Sequence, residues 1–360
     1  MTLQAFSTNF NCCKSLEYST IVGAFNYMMT DTGERALQPL SPLNYFYFLP
    51  TEKNRLLDEQ VNILRGFIQK LLEEARIKMK QLNNNLSPKN EDGNARTKIS
   101  LVDRLVVAHD NGDSPGGIKG SYIADQVLID VVSTLLIASY DTTSTTLAFA
   151  LYILANHPDI QEKCLEEVIY VQAASEDGRV SSADDLVYCS AVIQETLRLY
   201  PPAALTGRVV TKPITLSDGF VVPKGVRVAI PIFGIHRAEQ YFPRALECLP
   251  TRWCERQHSK DGNLWVERQY QAEVEQSAKQ QQSSDDSSIP AGNPDAFLPF
   301  SAGARNCPGA KFAQQEAVIV LANLVQHFRF LPVPGYKLKL NLYGPLPAPV
   351  GGMPLRMETR

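Results

Sequence analysis

Apolar residues at Leu56, Leu57, Val61, Leu64, Ile68, Leu71, Leu72 and Ala75 recur at steps of three and four with charges between them. This spacing predicts an amphipathic helix over residues 51–81. Asn83 to Thr97, rich in Asn, Ser, Pro and Gly, reads as a loop. A longer helical pattern runs from Ser121 to Asn156 and stops at His157-Pro158; at over 30 residues it exceeds the usual globular helix and is expected to cross the whole domain. Asp159–Val171 and Ser182–Leu199 predict two more helices, the second ended by Pro201-Pro202. Residues 208–232 change period. Val209-Val210, Ile214–Leu216, Phe220–Val222 and Val226–Ile232 are β-branched runs separated by Ser217-Asp218-Gly219 and Pro223-Lys224-Gly225, which predicts a small antiparallel sheet. Residues 255–294 are polar, with Gln and Ser runs, and read as a solvated surface insertion. Lys311–Phe328 is helical again, and short strands follow from Leu331. The fold class expected is mainly α with minor β sheets, without internal repeats.

Composition narrows the chemistry. The 360 residues are 44% hydrophobic and 20% charged, close to the soluble average, which argues against disorder, collagen or a bundle of membrane spans. Thirty-five basic against 38 acidic side chains leave a net charge of −3, so no nucleic-acid partner is expected. Seven cysteines, Cys12, Cys13, Cys164, Cys189, Cys248, Cys254 and Cys307, form no C-x-x-C pair, which argues against a disulfide framework or zinc knuckle. Met1–Lys14 lacks the basic and apolar regions of a signal peptide. No uncharged apolar run reaches the ~20 residues of a membrane span.

The most informative segment is Phe300-Ser-Ala-Gly303-Ala-Arg305-Asn-Cys307-Pro-Gly309, followed at once by a helix. Gly303 and Gly309 permit a tight turn and close backbone approach, and the helix N-terminus favours a thiolate at Cys307. An isolated cysteine is most often inert core. As a ligand, one sulfur with no neighbouring His is too few for zinc or an iron–sulfur cluster, yet one thiolate suffices as the axial ligand of haem. Arg305 could then pair a haem propionate.

This segment resembles the haem-binding loop of the cytochrome P450 family, F-x-x-G-x-R-x-C-x-G, at every fixed position. Glu195-Thr-Leu-Arg198 is similar to the family's E-x-x-R motif. Taken alone it is an i,i+3 pair of the kind that contributes ~0.2–0.5 kcal/mol on an exposed helix. Pro250-Thr-Arg252-Trp253 follows in the family's order, with Cys248 where an aromatic residue often stands. The resemblance implies a buried three-charge network of Glu195, Arg198 and Arg252 that props the haem loop.

Within the long helix, Ala138-Ser139-Tyr140-Asp141-Thr142-Thr143-Ser144-Thr145-Thr146 is a polar island after Leu135-Leu136-Ile137. Buried hydroxyls must be satisfied, and the simplest way is to bond back to the preceding turn. The Asp141-Thr142 pair also resembles the family's oxygen-activation motif, which implies Thr142 as the hydroxyl that meets dioxygen and Asp141 as a proton relay. Ser139 stands where the family has Gly, so the helix distortion that makes room for oxygen is expected to arise with a small polar side chain. Arg208 falls where many members place a second propionate-binding arginine. Ala203, Ala204, Leu205, Ala138 and Tyr140 fall in stretches that the resemblance points toward substrate.

The resemblance therefore implies a single P450 domain over residues 1–360, N-terminally truncated, with residues 255–294 as an insertion. It implies haem b with iron ligated by Cys307, a small apolar organic substrate and dioxygen. Electrons would come from NADPH through a separate NADPH-cytochrome P450 reductase, because the chain has no G-x-G-x-x-G loop. It also implies the endoplasmic reticulum membrane, reached through an N-terminal anchor that this sequence lacks. Two other readings stay open: a haem-thiolate isomerase or dehydratase, and a non-catalytic fragment or pseudoenzyme that does not retain haem.

Overall fold

The computed structural model describes residues 16–37, 49–85, 99–111, 125–176, 178–180, 182–254, 293–341 and 347–360. Helices dominate: α1 (Leu16–Leu37), α2 (Glu52–Asn85), α3 (Leu101–Asp110), α4 (Asp125–Asn156), α5 (Pro158–Ala174), α6 (Val187–Leu199), the single turn α7 (Ile232–Ile235) and α8 (Ala310–His327). The packing gathers into two compact units, Met1–Tyr140 and Asp141–Arg360, with the boundary inside α4.

In the first unit the helix starts are set by side-chain caps. The Thr51 hydroxyl accepts the Asn54 N–H at 3.2 Å, and Ser100 and Asp103 exchange a reciprocal capping box at the head of α3. Leu64, Ile68, Leu71, Leu72 and Ala75 of α2 form one buried stripe against Phe25, Val102, Val106 and Val132, while Leu56 is exposed. The predicted helix is therefore present, and it runs on to Asn85. Asn83–Asn85 are thus helical rather than loop, since the first chain breaker, Pro88, comes later. The rest of that predicted loop and the predicted start of the long helix lie outside the described residues, as do Cys12, Cys13 and residues 255–292 of the predicted insertion.

α4 is long and apolar enough, by length and composition, to cross a membrane, where the sequence reading expected no such segment. Asp130 and Asp141 interrupt its apolar stretch, which is why no uncharged run of that length stands in the sequence. Its last turns, with Phe149, Ala150, Ile153, Leu154 and Ala155, are buried, and Ala150 and Leu154 join the core of the second unit.

That second core is built on α5, α6 and α8, with Cys164, Val168, Val192, Leu197, Val318, Leu321 and Val325 in contact. Pro158 opens α5 at a position where its missing N–H costs nothing. The predicted helix 182–199 is broken once. Ser182 caps a short 3₁₀ turn, Ala183–Asp185, Leu186 leaves helical backbone, and α6 restarts at Val187. The restart is held by Glu167 of α5, whose carboxylate accepts the N–H groups of Tyr188 and Cys189 at 2.7 and 2.8 Å. Gln161, also buried, donates to the carbonyls of Leu154 and Phe330 and accepts the Phe330 N–H, tying α4, α5 and the C-terminal strands together.

The predicted antiparallel sheet appears as two ladders: β1 (Thr206–Val209) with β4 (Arg227–Ile230), and between them in sequence β2 (Ile214–Thr215) with β3 (Val221–Val222). Gly219 and Gly225 sit at φ +86° and +89°, the left-handed region their turns require. The tail pairs β5 (Phe328–Pro332) with β8 (Leu355–Thr359) and β6 (Leu340–Asn341) with β7 (Ala348–Pro349), all antiparallel.

Candidate active site

The cysteine loop is shaped by its own backbone. Ser301 and Gly303 both adopt positive φ, +61° and +79°, and a 3₁₀ turn over Gly303–Arg305 delivers the chain to Cys307. The Cys307 N–H donates back to the carbonyl of half-buried Phe300 at 2.9 Å, closing the loop, and α8 begins after Gly309. Cys307 is exposed, unlike Cys164, Cys189 and Cys254, so the inert-core reading does not hold for it. Gly303 needs its positive φ. Gly309 does not, with φ −89°, and a Cβ there would meet only the Cys307 sulfur, at 3.9 Å. The close approach expected at Gly309 is thus to the sulfur alone, and a bare residue leaves that side of the thiol open.

Arg208, on β1, reaches the same loop. Its Nη2 donates to Ser301 Oγ at 3.0 Å and to the Ala302 carbonyl at 3.3 Å, and its Nη1 donates to Thr206 Oγ1 and the Gly207 carbonyl. Arg305 lies exposed within the loop.

Glu195, Arg198 and Arg252 meet in the core, each buried. Arg198 grips Glu195 with two bonds of 2.9 and 2.8 Å, and Arg252 Nε adds a third at 3.3 Å. The Glu195 carboxylate also accepts Trp253 Nε1 and the Leu249 N–H, at 2.8 and 2.9 Å. The two guanidinium groups spend their remaining donors on the carbonyls of His236, Ala245 and Glu247 and of Pro243 and Arg244. This is no exposed i,i+3 pair. One carboxylate is shared by two guanidinium groups, and every charged group is hydrogen-bonded, which is what makes burying ions tolerable.

The sequence reading missed two members of this assembly. Trp253 is visible in the Pro250–Trp253 stretch, yet its bond to Glu195 spans 58 residues of sequence. His236 carries only the weak signal of a lone histidine after an apolar strand. It is fully buried, its Nδ1 lies 3.2 Å from the Arg198 carbonyl, and its Nε2 accepts the Leu298 N–H at 2.9 Å. A carbonyl can only accept and an amide can only donate, so the ring is the neutral tautomer with its proton on Nδ1. Burial agrees, pushing its pKa down to about 4.

Asp141 and Thr142 stand half-buried on α4, a different element from the cysteine loop. Burial raises the Asp141 pKa. The helix continues through them from Asp125 to Asn156. Ser139, Ser144 and Thr146 turn their hydroxyls back onto the carbonyls of Leu136, Asp141 and Thr142, at 3.1, 3.1 and 2.9 Å. Bonds of this kind satisfy the polar island inside a helix.

A family model described as Cytochrome P450 matches residues 1–350. The chain belongs to the cytochrome P450 family. It is 29% identical over 299 residues to Probable cytochrome P450 4ac3 of Drosophila melanogaster, covering 83% of this chain and 50% of that protein. It is 32% identical over 266 residues to Cytochrome P450 4F12 of Homo sapiens, covering 72% of this chain and 42% of that protein. A crystal structure of a cytochrome P450 (CYP102L1) superposes with a TM-score of 0.71 at 22% identity, covering 100% of this chain and 69% of that one. The P450 chain described here therefore has the family's fold and spans about half the length of the curated relatives it matches.

Members of the family use haem iron with electrons from a reductase. The residues present fit haem: an exposed cysteine sulfur beside a side-chain-free Gly309, on a loop with a guanidinium bound to its first residues.

Proposed function

We propose that this chain is a haem-thiolate monooxygenase that inserts one atom of dioxygen into a small apolar organic substrate. When bound, haem would supply the oxygen-activating redox chemistry, and Cys307 is the residue whose sulfur would hold its iron. The observation that carries the reading is the exposed Cys307 on a loop closed by the Phe300 carbonyl.

Arg208 and Arg305 offer guanidinium groups to the haem propionates, and Arg208 is already oriented by its bonds to Ser301 and Ala302. Phe300, Gly303 and Gly309 shape the loop, while the Glu195–Arg198–Arg252 network fixes the backbone at His236 and from Pro243 to Leu249. Thr142 supplies a hydroxyl toward dioxygen and Asp141 moves protons. The raised pKa of Asp141 suits that role, because a carboxyl drawn toward neutral pH can both hold and release a proton. Electrons come from NADPH through a separate reductase, and the endoplasmic reticulum membrane is the location that family resemblance supports.

A second reading is a P450-fold protein that does not retain haem. One measurement separates the two. The dithionite-reduced protein, expressed with haem available, is expected to give a strongly red-shifted Soret band with carbon monoxide, and Cys307→Ser is expected to abolish it. Absence of haem decides for the second reading, and a band that ignores the substitution overturns Cys307 as the ligand.

A further inference from the structure

His236 joins two parts of the molecule that the sequence motifs treat separately. On one side it is bound reciprocally to Arg198. The His236 ring faces the Arg198 carbonyl at 3.2 Å, while Arg198 Nη1 donates to the His236 carbonyl at 2.8 Å. On the other side its Nε2 takes the Leu298 N–H. Leu298 leads directly into the cysteine loop: its carbonyl accepts the Ser301 N–H at 3.0 Å, and the Phe300 carbonyl accepts the Cys307 N–H. The ring cannot pivot freely. Phe297 stacks on it at 5.4 Å, Phe242 packs edge-on at 6.0 Å, and Phe297 in turn lies against Trp253 of the charge network.

We propose that His236 is a positioning residue for the Cys307 sulfur: by accepting the Leu298 N–H while donating to the Arg198 carbonyl, it transmits the fixed geometry of the Glu195–Arg198 network to the stretch that closes on Cys307. This rests on the haem-thiolate reading above. The histidine carries one ring nitrogen on each part, Nδ1 toward the Arg198 carbonyl and Nε2 toward the Leu298 N–H. Burial that keeps the ring neutral keeps Nε2 an acceptor, as the Leu298 bond requires.

The two amide side chains separate this role from simple core packing, because both lose the stacked ring but each keeps a different bond. In His236→Asn the amide nitrogen replaces Nδ1 and keeps the donation to Arg198, and nothing reaches Leu298. In His236→Gln the amide oxygen replaces Nε2 and keeps the acceptor for Leu298. Hydrogen exchange at the Leu298 amide needs no haem and is expected to be about fivefold faster in the Asn chain than in the Gln chain, the worth of one hydrogen bond. In haem-loaded protein the red-shifted carbon monoxide band should shrink in the Asn chain and hold in the Gln chain. Equal exchange and equal bands in the two variants overturn the proposal. If the Asn chain does not fold, the Gln chain decides alone: Leu298 exchange near the wild-type rate supports the proposal, and exchange about fivefold faster overturns it. A wild-type chain without a red-shifted band, in which Leu298 exchange still separates the variants, overturns the haem-thiolate reading while the His236–Leu298 contact stands.

Discussion

Arg208 Nη2 donates to Ser301 Oγ at 3.0 Å across 93 residues of sequence, so a strand of the small sheet and the first turn of the cysteine loop are held by one side chain. A second bond from the same nitrogen to the Ala302 carbonyl makes the contact two-pronged. Ser301 is one of two described non-glycine residues with positive φ, so the contact lies where the backbone needs support. Arg208→Ala is expected to lower the haem retained per protein several-fold while leaving the fold intact, read from the ratio of Soret to protein absorbance. Arg208→Lys should recover little, because an ammonium on a flexible stem cannot reproduce the guanidinium fork. Full haem occupancy in the Ala variant would show that Arg208 does not hold the loop.

Glu195 accepts from Arg198, Arg252, Trp253 and Leu249 at once. Glu195→Gln would leave two buried cations facing a neutral amide and would force one amide N–H₂ against donors. Breaking a buried pair in this way costs about 3–5 kcal/mol. Urea unfolding of the second unit should therefore shift by a comparable amount, or the variant should fail to accumulate. A shift below about 1 kcal/mol, the value of an exposed pair, would contradict the buried network.

Glu167 caps the restart of α6 from deep in the core, and burial pushes its pKa from 4.5 up to about 7, against the hydrogen bonds from Tyr188, Cys189 and Val187 that lower it. A folded-state pKa above the unfolded value means that the folded chain binds the proton more tightly. The associated stability is thus fully present below pH 4.5 and is lost as the pH rises through about 7. The difference in unfolding free energy between wild type and Glu167→Gln should change by roughly 3 kcal/mol between pH 4.5 and pH 8. Wild type should lose ground to the variant as the pH rises. A pH-independent difference would show that the cap stays ionised throughout.

Thr142→Ala tests the oxygen-handling reading without touching the loop or its braces. The carbon monoxide band should persist, and product formed per NADPH consumed should fall about a hundredfold, the low end of what a positioned proton-transfer group contributes. Asp141→Asn should act in the same direction and flatten the pH profile of product formation. Unchanged coupling in both variants would remove these residues from the mechanism.

Much of this architecture was legible in the chain alone because it depends on short-range information. The apolar steps in α2, the Pro158 start of α5, the Gly219 and Gly225 turns and the ten-residue pattern around Cys307 each express constraints among neighbours in sequence. Local sterics and amphipathic burial act over those distances, so the helices, the antiparallel ladders and the candidate ligand could be read without coordinates. In α6 local reading failed because a distant partner had intervened. Residues 182–199 look like one helix, yet the Glu167 carboxylate restarts it at Val187, and that bond joins positions 21 and 22 residues apart.

Only the tertiary structure decided which polar groups would be buried together. Glu195 and Arg198 are neighbours on a helix, but their change from a marginal surface pair to a fully buried one depends on Arg252, Trp253 and the carbonyls of residues 236 to 247 arriving from elsewhere. His236 shows the same thing most clearly, since its tautomer, its neutrality and its link to Leu298 are set by groups 38 and 62 residues away. Sequence determines which groups a chain can offer. Desolvation penalises each of them until folding supplies a partner, and the identity of that partner is a property of three-dimensional packing.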